Sequence, residues 1–289
     1  IHKAGDYTST GVLAGLVPGT YTAGTPVLSV PSDQARFSVV PDGTDQWYID
    51  NNGILQTADA VVSTAGELIT SIENAPTGTE VSIILQGDID INTITMDAGQ
   101  NIKLIASQDI TITASVPGAE FIIVSHGSTL TLGDEHHTIT IKGTGTSDKG
   151  ILLDGDCVLN NVEITNFKIT ERTYPAPLYV KGNVTMNGGK ISNNYNSLPG
   201  GGAYITSGGS LTIDGTDITG NTSDQNGGGV YVATGGTFDI TSGSITGNTA
   251  VNGGGVYVKN GNSGSFPVED EVYVTDNTAT GDANQITRE

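Results

Sequence analysis

Short runs of alternating apolar and polar residues fill the chain from Val81 onward, and they recur in step. One set reads Val230-Tyr231-Val232, Thr237-Phe238-Asp239-Ile240 and Ser244-Ile245-Thr246, separated by turns rich in Gly, Asn and Thr. A period of two over so few residues predicts strands, and strands this short are unstable alone. Gly200-Gly201-Gly202-Ala203-Tyr204-Ile205 returns 27 residues later as Gly227-Gly228-Gly229-Val230-Tyr231-Val232, and 26 later again as Gly253-Gly254-Gly255-Val256-Tyr257-Val258. Ile191-Ser192-Asn193-Asn194, Ile218-Thr219-Gly220-Asn221, Ile245-Thr246-Gly247-Asn248 and Val274-Thr275-Asp276-Asn277 keep nearly the same step. Weaker copies run back through Leu178-Tyr179-Val180, Ile151-Leu152-Leu153, Phe121-Ile122-Ile123-Val124 and Ile102-Lys103-Leu104-Ile105.

Three strands per repeat stack coil on coil, about 4.8 Å apart, into three parallel sheets around a narrow core. The chain is therefore expected to be all-β, a right-handed parallel β-helix over residues 57–289 with roughly eight coils. A helical solenoid is excluded by the glycines and the period of two, and a propeller blade needs about 40 residues per repeat. Asn194, Asn221, Asn248 and Asn277 are placed to form an amide ladder along the axis. Residues 64–75 predict a capping helix, with Ala65, Leu68, Ile69 and Ile72 on one face, Ser63 or Thr64 as N-cap and Pro76-Thr77-Gly78 as its stop. Residues 280–285 show no comparable cap, so the natural protein is expected to continue. Residues 1–56 read as a small β-rich N-terminal module with Trp47 in its core.

Composition narrows the function. The 41 glycines fit a chain of tight turns. With 11 basic against 31 acidic residues, the net charge of −20 repels nucleic acid and anionic membranes and leaves neutral glycans, basic proteins or divalent cations as partners. Acidity also keeps a rod soluble. The lone Cys157 lies in an apolar run and reads as a buried small hydrophobe. No apolar stretch is long enough to insert into a membrane. The chain begins at Ile1 without an initiator Met or signal peptide, and is read as a fragment of a longer, processed protein.

Gly229-Val230-Tyr231-Val232 followed by Gly243-Ser244-Ile245-Thr246-Gly247-Asn248 resembles the GGxI/FxxN-type repeats of bacterial β-helical surface proteins, such as polymorphic outer-membrane proteins and adhesin-like proteins of gut anaerobes. The resemblance covers roughly residues 150–280 well and 80–150 weakly. It implies a pectin-lyase-like β-helix exported to the bacterial cell surface or secreted, with an adhesive or structural role. Enzymes of that fold act mostly on acidic polysaccharides. Lyases among them pair a calcium-holding carboxylate cluster with Lys or Arg, and hydrolases use aspartates beside a GHG-like segment.

Asp154 and Asp156, with Lys168 and Arg172 (and Tyr174) half a coil later, make the best lyase-like set; the alternative is solvated turn charges, and no cofactor or metal is expected unless such a set holds Ca2+. Ser125-His126-Gly127 is a faint echo of GHG. Asp134-Glu135-His136-His137 is either a transition-metal site or a polar turn. Asp88, Asp90, Asp214, Asp217, Glu269, Asp270 and Glu271 are loop-tip carboxylates suited to Ca2+ but without an EF-hand pattern. Tyr179, Tyr204, Tyr231 and Tyr257 recur once per coil and form either a glycan-binding stripe or a stacked ladder that braces the sheet. Thr165, Ser192, Thr219, Thr246 and Thr275 make a hydroxyl column, and Thr111-x-Thr113 and Thr138-x-Thr140, 27 apart, are either the start of an ice-binding pair of files that then lapses or the ordinary preference of Thr for strands. The leading expectation is a non-catalytic extracellular adhesin or stalk domain that binds a glycan or a host or cell-surface protein. The alternative is a polysaccharide lyase or glycoside hydrolase.

Overall fold

The computed structural model describes residues 54–170, 176–259, 272–281 and 285–288, together with four short strands before residue 54. One coil shows the plan of the whole. Ser210–Asp214 lies in a first sheet, Thr216–Thr219 in a second, Thr222–Ser223 in a short fourth file and Val230–Val232 in a third sheet. Among the described residues, each of the three main sheets holds eight strands. All strands within them pair in parallel, coil to coil, so the chain winds as a right-handed parallel β-helix. Inward positions are apolar. Leu211, Ile213, Ile218, Val230 and Val232 of that coil are buried and join one continuous core along the rod.

The fourth file, five strands from Lys168–Ile169 to Thr278–Ala279, adds to the three strands expected per coil. Its members are only two residues long, too short for alternation to reveal. It begins just past a corner at which Asn166, Asn193, Gly220, Gly247 and Asp276 take positive φ. That left-handed residue turns the next side chain inward. Asn194, Asn221, Asn248 and Asn277 follow it and are buried in the core. Each Asn Nδ2 donates to the next coil's Asn Oδ1 at 2.9 Å, and that same oxygen accepts the backbone N–H. The ladder starts at the Phe167 N–H, which donates to Asn194 Oδ1, and ends on Gln285 Oε1.

A helix, Ala65–Glu73, sits before the first full coil, within the expected span of 64–75. Thr64 is its N-cap and Glu67 closes a capping box, with Glu67 Oε2 accepting the Thr64 N–H at 3.1 Å. Its apolar face buries Leu68 and Ile72 over the end of the core. Gln100 Nε2 secures the last turn by donating to the Ile72 and Ala75 carbonyls. A strand, Ala60–Val62, precedes the helix and pairs with Glu80–Leu85, so the chain enters the first sheet before it is capped. Upstream, Ala14–Leu16 pairs in parallel with Phe37–Val39, while Ile54–Ala58 pairs antiparallel with Thr25–Pro26 and Gln46–Ile49. The side chains of the four strands before Ile54, that of Trp47 included, lie outside the described residues.

Candidate functional site

The side chains on the outside of the rod form columns of one residue per coil. On the first sheet one column reads Lys103, Thr131, Val158, Thr185, Thr212 and Asp239. On the second, Thr111, Thr140, Glu163, Lys190, Asp217 and Ser244 align. The third sheet differs: between Thr95 at one end and Thr287 at the other, its outward column is Ile123, Leu152, Tyr179, Tyr204, Tyr231 and Tyr257. An apolar outer column on a polar rod requires an explanation.

The four tyrosines stack on one another along the axis. Their ring centroids are 5.4, 4.8 and 5.3 Å apart, with interplanar angles of 33, 21 and 7° in chain order. The inner rings therefore spend their faces on neighbouring tyrosines, and a ligand alongside meets ring edges and hydroxyls. Tyr179 and Tyr204 are half-buried, whereas Tyr231 and Tyr257 are only 6% and 3% exposed. Burial pushes the Tyr179 and Tyr204 phenols above their ordinary value of 10.0. Lys181 opposes the shift at Tyr179 and Asp154 adds to it, while Tyr179 itself raises Tyr204. A phenol with a raised folded-state pKa contributes stability that is intact below about pH 10 and is lost as pH climbs through the folded value. The melting temperature should thus fall as pH rises above about 10, and fall less in a Tyr179→Phe/Tyr204→Phe variant. Parallel melting curves for the two proteins across that range would contradict this assignment.

Beside the tyrosines, at the turn from the third sheet to the first, three successive coils align His126, Asp154 and Lys181. Lys181 Nζ lies 2.5 Å from Asp154 Oδ2, and His126 Nδ1 lies 3.8 Å from Asp154 Oδ1. Asp156 stands next to this corner and accepts from Asn183 Nδ2 at 2.8 Å. Lys168 lies elsewhere. It opens the fourth file, beyond the second sheet; its backbone N–H donates to Asp148 Oδ2 and its ammonium lies 5.9 Å from the Tyr195 ring centroid. Tyr195 in turn donates to Asp224. The two aspartates and Lys168 are thus at different corners of the coil, and Arg172 and Tyr174 lie outside the described residues. Lys181 was not singled out from sequence, although it follows Asp154 by one 27-residue period.

Other candidates are taken up in local structure. Asp134 Oδ1 accepts the backbone N–H groups of His136 and His137, so it caps a turn. Asp88 and Asp109 likewise receive the N–H groups of Thr111 and Thr138 on the next coil, and Asp214 and Asp217 accept from Ser242 and Ser244. Among the described residues, no three His, Cys, Asp or Glu side chains converge as a metal site would require. Glu269, Asp270 and Glu271 lie outside the described residues. Burial, helped by Asp156, pushes the Cys157 thiol up to about 12, which keeps it protonated and unreactive.

The hydroxyl column is in register, but its members bond to each other, Ser192 to Thr165 and Thr246 to Thr219, each at 3.4 Å. Its neighbour is the Glu163, Lys190, Asp217 column and not a second Thr file. The expected Thr pairing also shifts. Thr111 pairs with Thr140, and Thr113 with Lys142, because the turn containing Asp134 is longer than its counterpart one coil earlier. A small void lined by Leu130, Leu132, Ile141, Leu153 and Ile164 is wholly apolar, which suits packing and not recognition.

Comparison with known proteins agrees with this architecture. A family model described as a right-handed β-helix region matches residues 123–287, over half of the chain. No curated protein and no solved structure matched the sequence. Stacked parallel coils and the family match lead to one conclusion: the chain belongs to the right-handed β-helix family.

Proposed function

We propose that this chain is a non-catalytic, extracellular stalk or adhesin domain of a bacterial cell-surface protein, which holds an extended glycan, or a host or cell-surface protein, against its third sheet. The observation that carries this reading is the apolar outer column from Ile123 to Tyr257, on a rod whose other described outer columns are mostly polar. A sugar chain lying along the axis meets one coil about every 4.8 Å, close to the rise of one sugar in an extended glycan. Contact is made through the edges and hydroxyls of Tyr179 and Tyr204, the two half-buried rings. Lys181 adds little positive field, because Asp154 neutralises it at contact distance, so neutral polymers fit better than acidic ones.

Retention on immobilised neutral glycans tests this directly. Removing both hydroxyls in Tyr179→Phe/Tyr204→Phe keeps the stacked rings and should weaken retention about tenfold, as expected when one or two hydrogen bonds are lost. Undiminished retention by the variant would rule out the tyrosine edge as the contact.

The alignment of His126, Asp154 and Lys181 on three successive coils favours a second reading, a polysaccharide lyase or hydrolase working at that corner. A carboxylate between two basic groups can orient a proton-transfer residue. This reading predicts that a bound polymer is shortened.

A further inference from the structure

We propose that Tyr179 and Tyr204 are an oxidative cross-linking site, joined by a peroxidase-type one-electron oxidant into a dityrosine that staples two successive coils. The two residues pair directly across adjacent strands of the third sheet, and their ring centroids are 5.4 Å apart. That separation permits a radical on one ring to meet its neighbour before it meets another molecule. Within the stack, this pair has the greatest room to adjust. Its rings are tilted by 33° and half-buried, whereas Tyr231 and Tyr257 lie 7° from parallel and are buried. Tyr231 and Tyr257 lengthen the stack over which an initial radical can migrate.

The chemistry balances with hydrogen peroxide as terminal oxidant. Each phenol gives up one electron to the oxidised peroxidase and one proton to water. The two phenoxyl radicals form a carbon–carbon bond between ring positions ortho to the oxygens. The ring hydrogens at those positions then move to the oxygens, which restores both phenols. One peroxide molecule takes up the two electrons and two protons and leaves as two waters. The sequence makes this route structurally relevant. With one cysteine, the chain has no disulfide within it, and a bond from residue 179 to 204 would close a loop of about one coil.

The test uses the whole chain, oxidised by a haem peroxidase with limiting peroxide. The monomer is then isolated by size-exclusion chromatography and digested with trypsin. Cleavage after Lys181 and Lys190 places Tyr179 and Tyr204 in different peptides. The expected monomer is lighter by two hydrogen atoms, shows dityrosine fluorescence, yields those two peptides joined with fragmentation locating the bond at the two tyrosines, and melts at a higher temperature than untreated protein. A Tyr204→Phe variant, confirmed as folded by circular dichroism, should give a monomer of unchanged mass. Cross-links formed only between molecules, or a linked monomer in which other tyrosines are joined, would overturn the proposal.

Discussion

Asn221→Ala is expected to cost about 4 kcal/mol of folding stability, from buried polar groups left unpaired plus the cavity that remains. Asn221 is fully buried at the centre of the ladder. Its Oδ1 accepts both the backbone N–H and the Nδ2 of Asn194, and its Nδ2 donates to Ile191 O and Asn248 Oδ1. Alanine leaves the Asn194 N–H without an acceptor in a core that water does not reach. Leucine would fill the space but would not restore the acceptor, so volume alone should not rescue the variant. Asn187 provides the contrast. It also donates to an asparagine on the preceding coil, Asn160 at 2.9 Å, but it does so at the surface. Asn187→Ala should cost no more than about 1 kcal/mol, because water replaces the partner. Urea unfolding of the two variants side by side reads the difference, and equal midpoints would show that the ladder is incidental to stability.

Gly228→Ala should cost about 3 kcal/mol or more, through crowding that the backbone cannot relieve. A Cβ at Gly228 would sit 2.3 Å from Gly254 O and 2.6 Å from Thr249 O, both fixed by coil stacking. The middle glycines of the first two triplets, Gly201 and Gly228, let one coil lie directly on the next. Gly201 meets Gly228 O at 2.1 Å by the same construction. Gly208 separates crowding from backbone conformation. It has a φ of +83° but open space around its missing Cβ, so Gly208→Ala should lose only about 1–2 kcal/mol, the cost of a left-handed backbone. Thermal melts of both variants against the parent chain test the order, and a milder effect at Gly228 would contradict the stacking geometry.

The legible parts of the fold were those written in the 27-residue period. Coil stacking, the inward Ile and Val positions, the tyrosine column and the asparagine ladder all repeat at offsets of 25 to 29 residues, close enough to one period to align them by motif. The helix was legible from a different signal, one apolar face after a Thr64 cap with Glu67 three residues on. The fourth file was not legible, because Thr222–Ser223 and Thr249–Ala250 are too short to alternate. The period places Lys181 one coil after Asp154, but that their side chains meet across the turns needs the register of the third sheet. Lys168 looked close to Asp154 at half a coil in sequence, but half a coil is the far side of a rod. The tyrosine spacing was legible, whereas the direction of the rings was not: a period gives position along the axis and says nothing of which way a ring plane turns.

Size-exclusion chromatography of a panel of neutral and acidic polysaccharides, incubated with the chain and Ca2+, measures binding and cleavage together. The adhesin reading predicts that a neutral polymer co-elutes with the protein at unchanged chain length, and that co-elution weakens in Tyr179→Phe/Tyr204→Phe. Polymer shortening that disappears in an Asp154→Ala/Lys181→Ala variant would contradict it and place an enzyme at the corner of His126, Asp154 and Lys181.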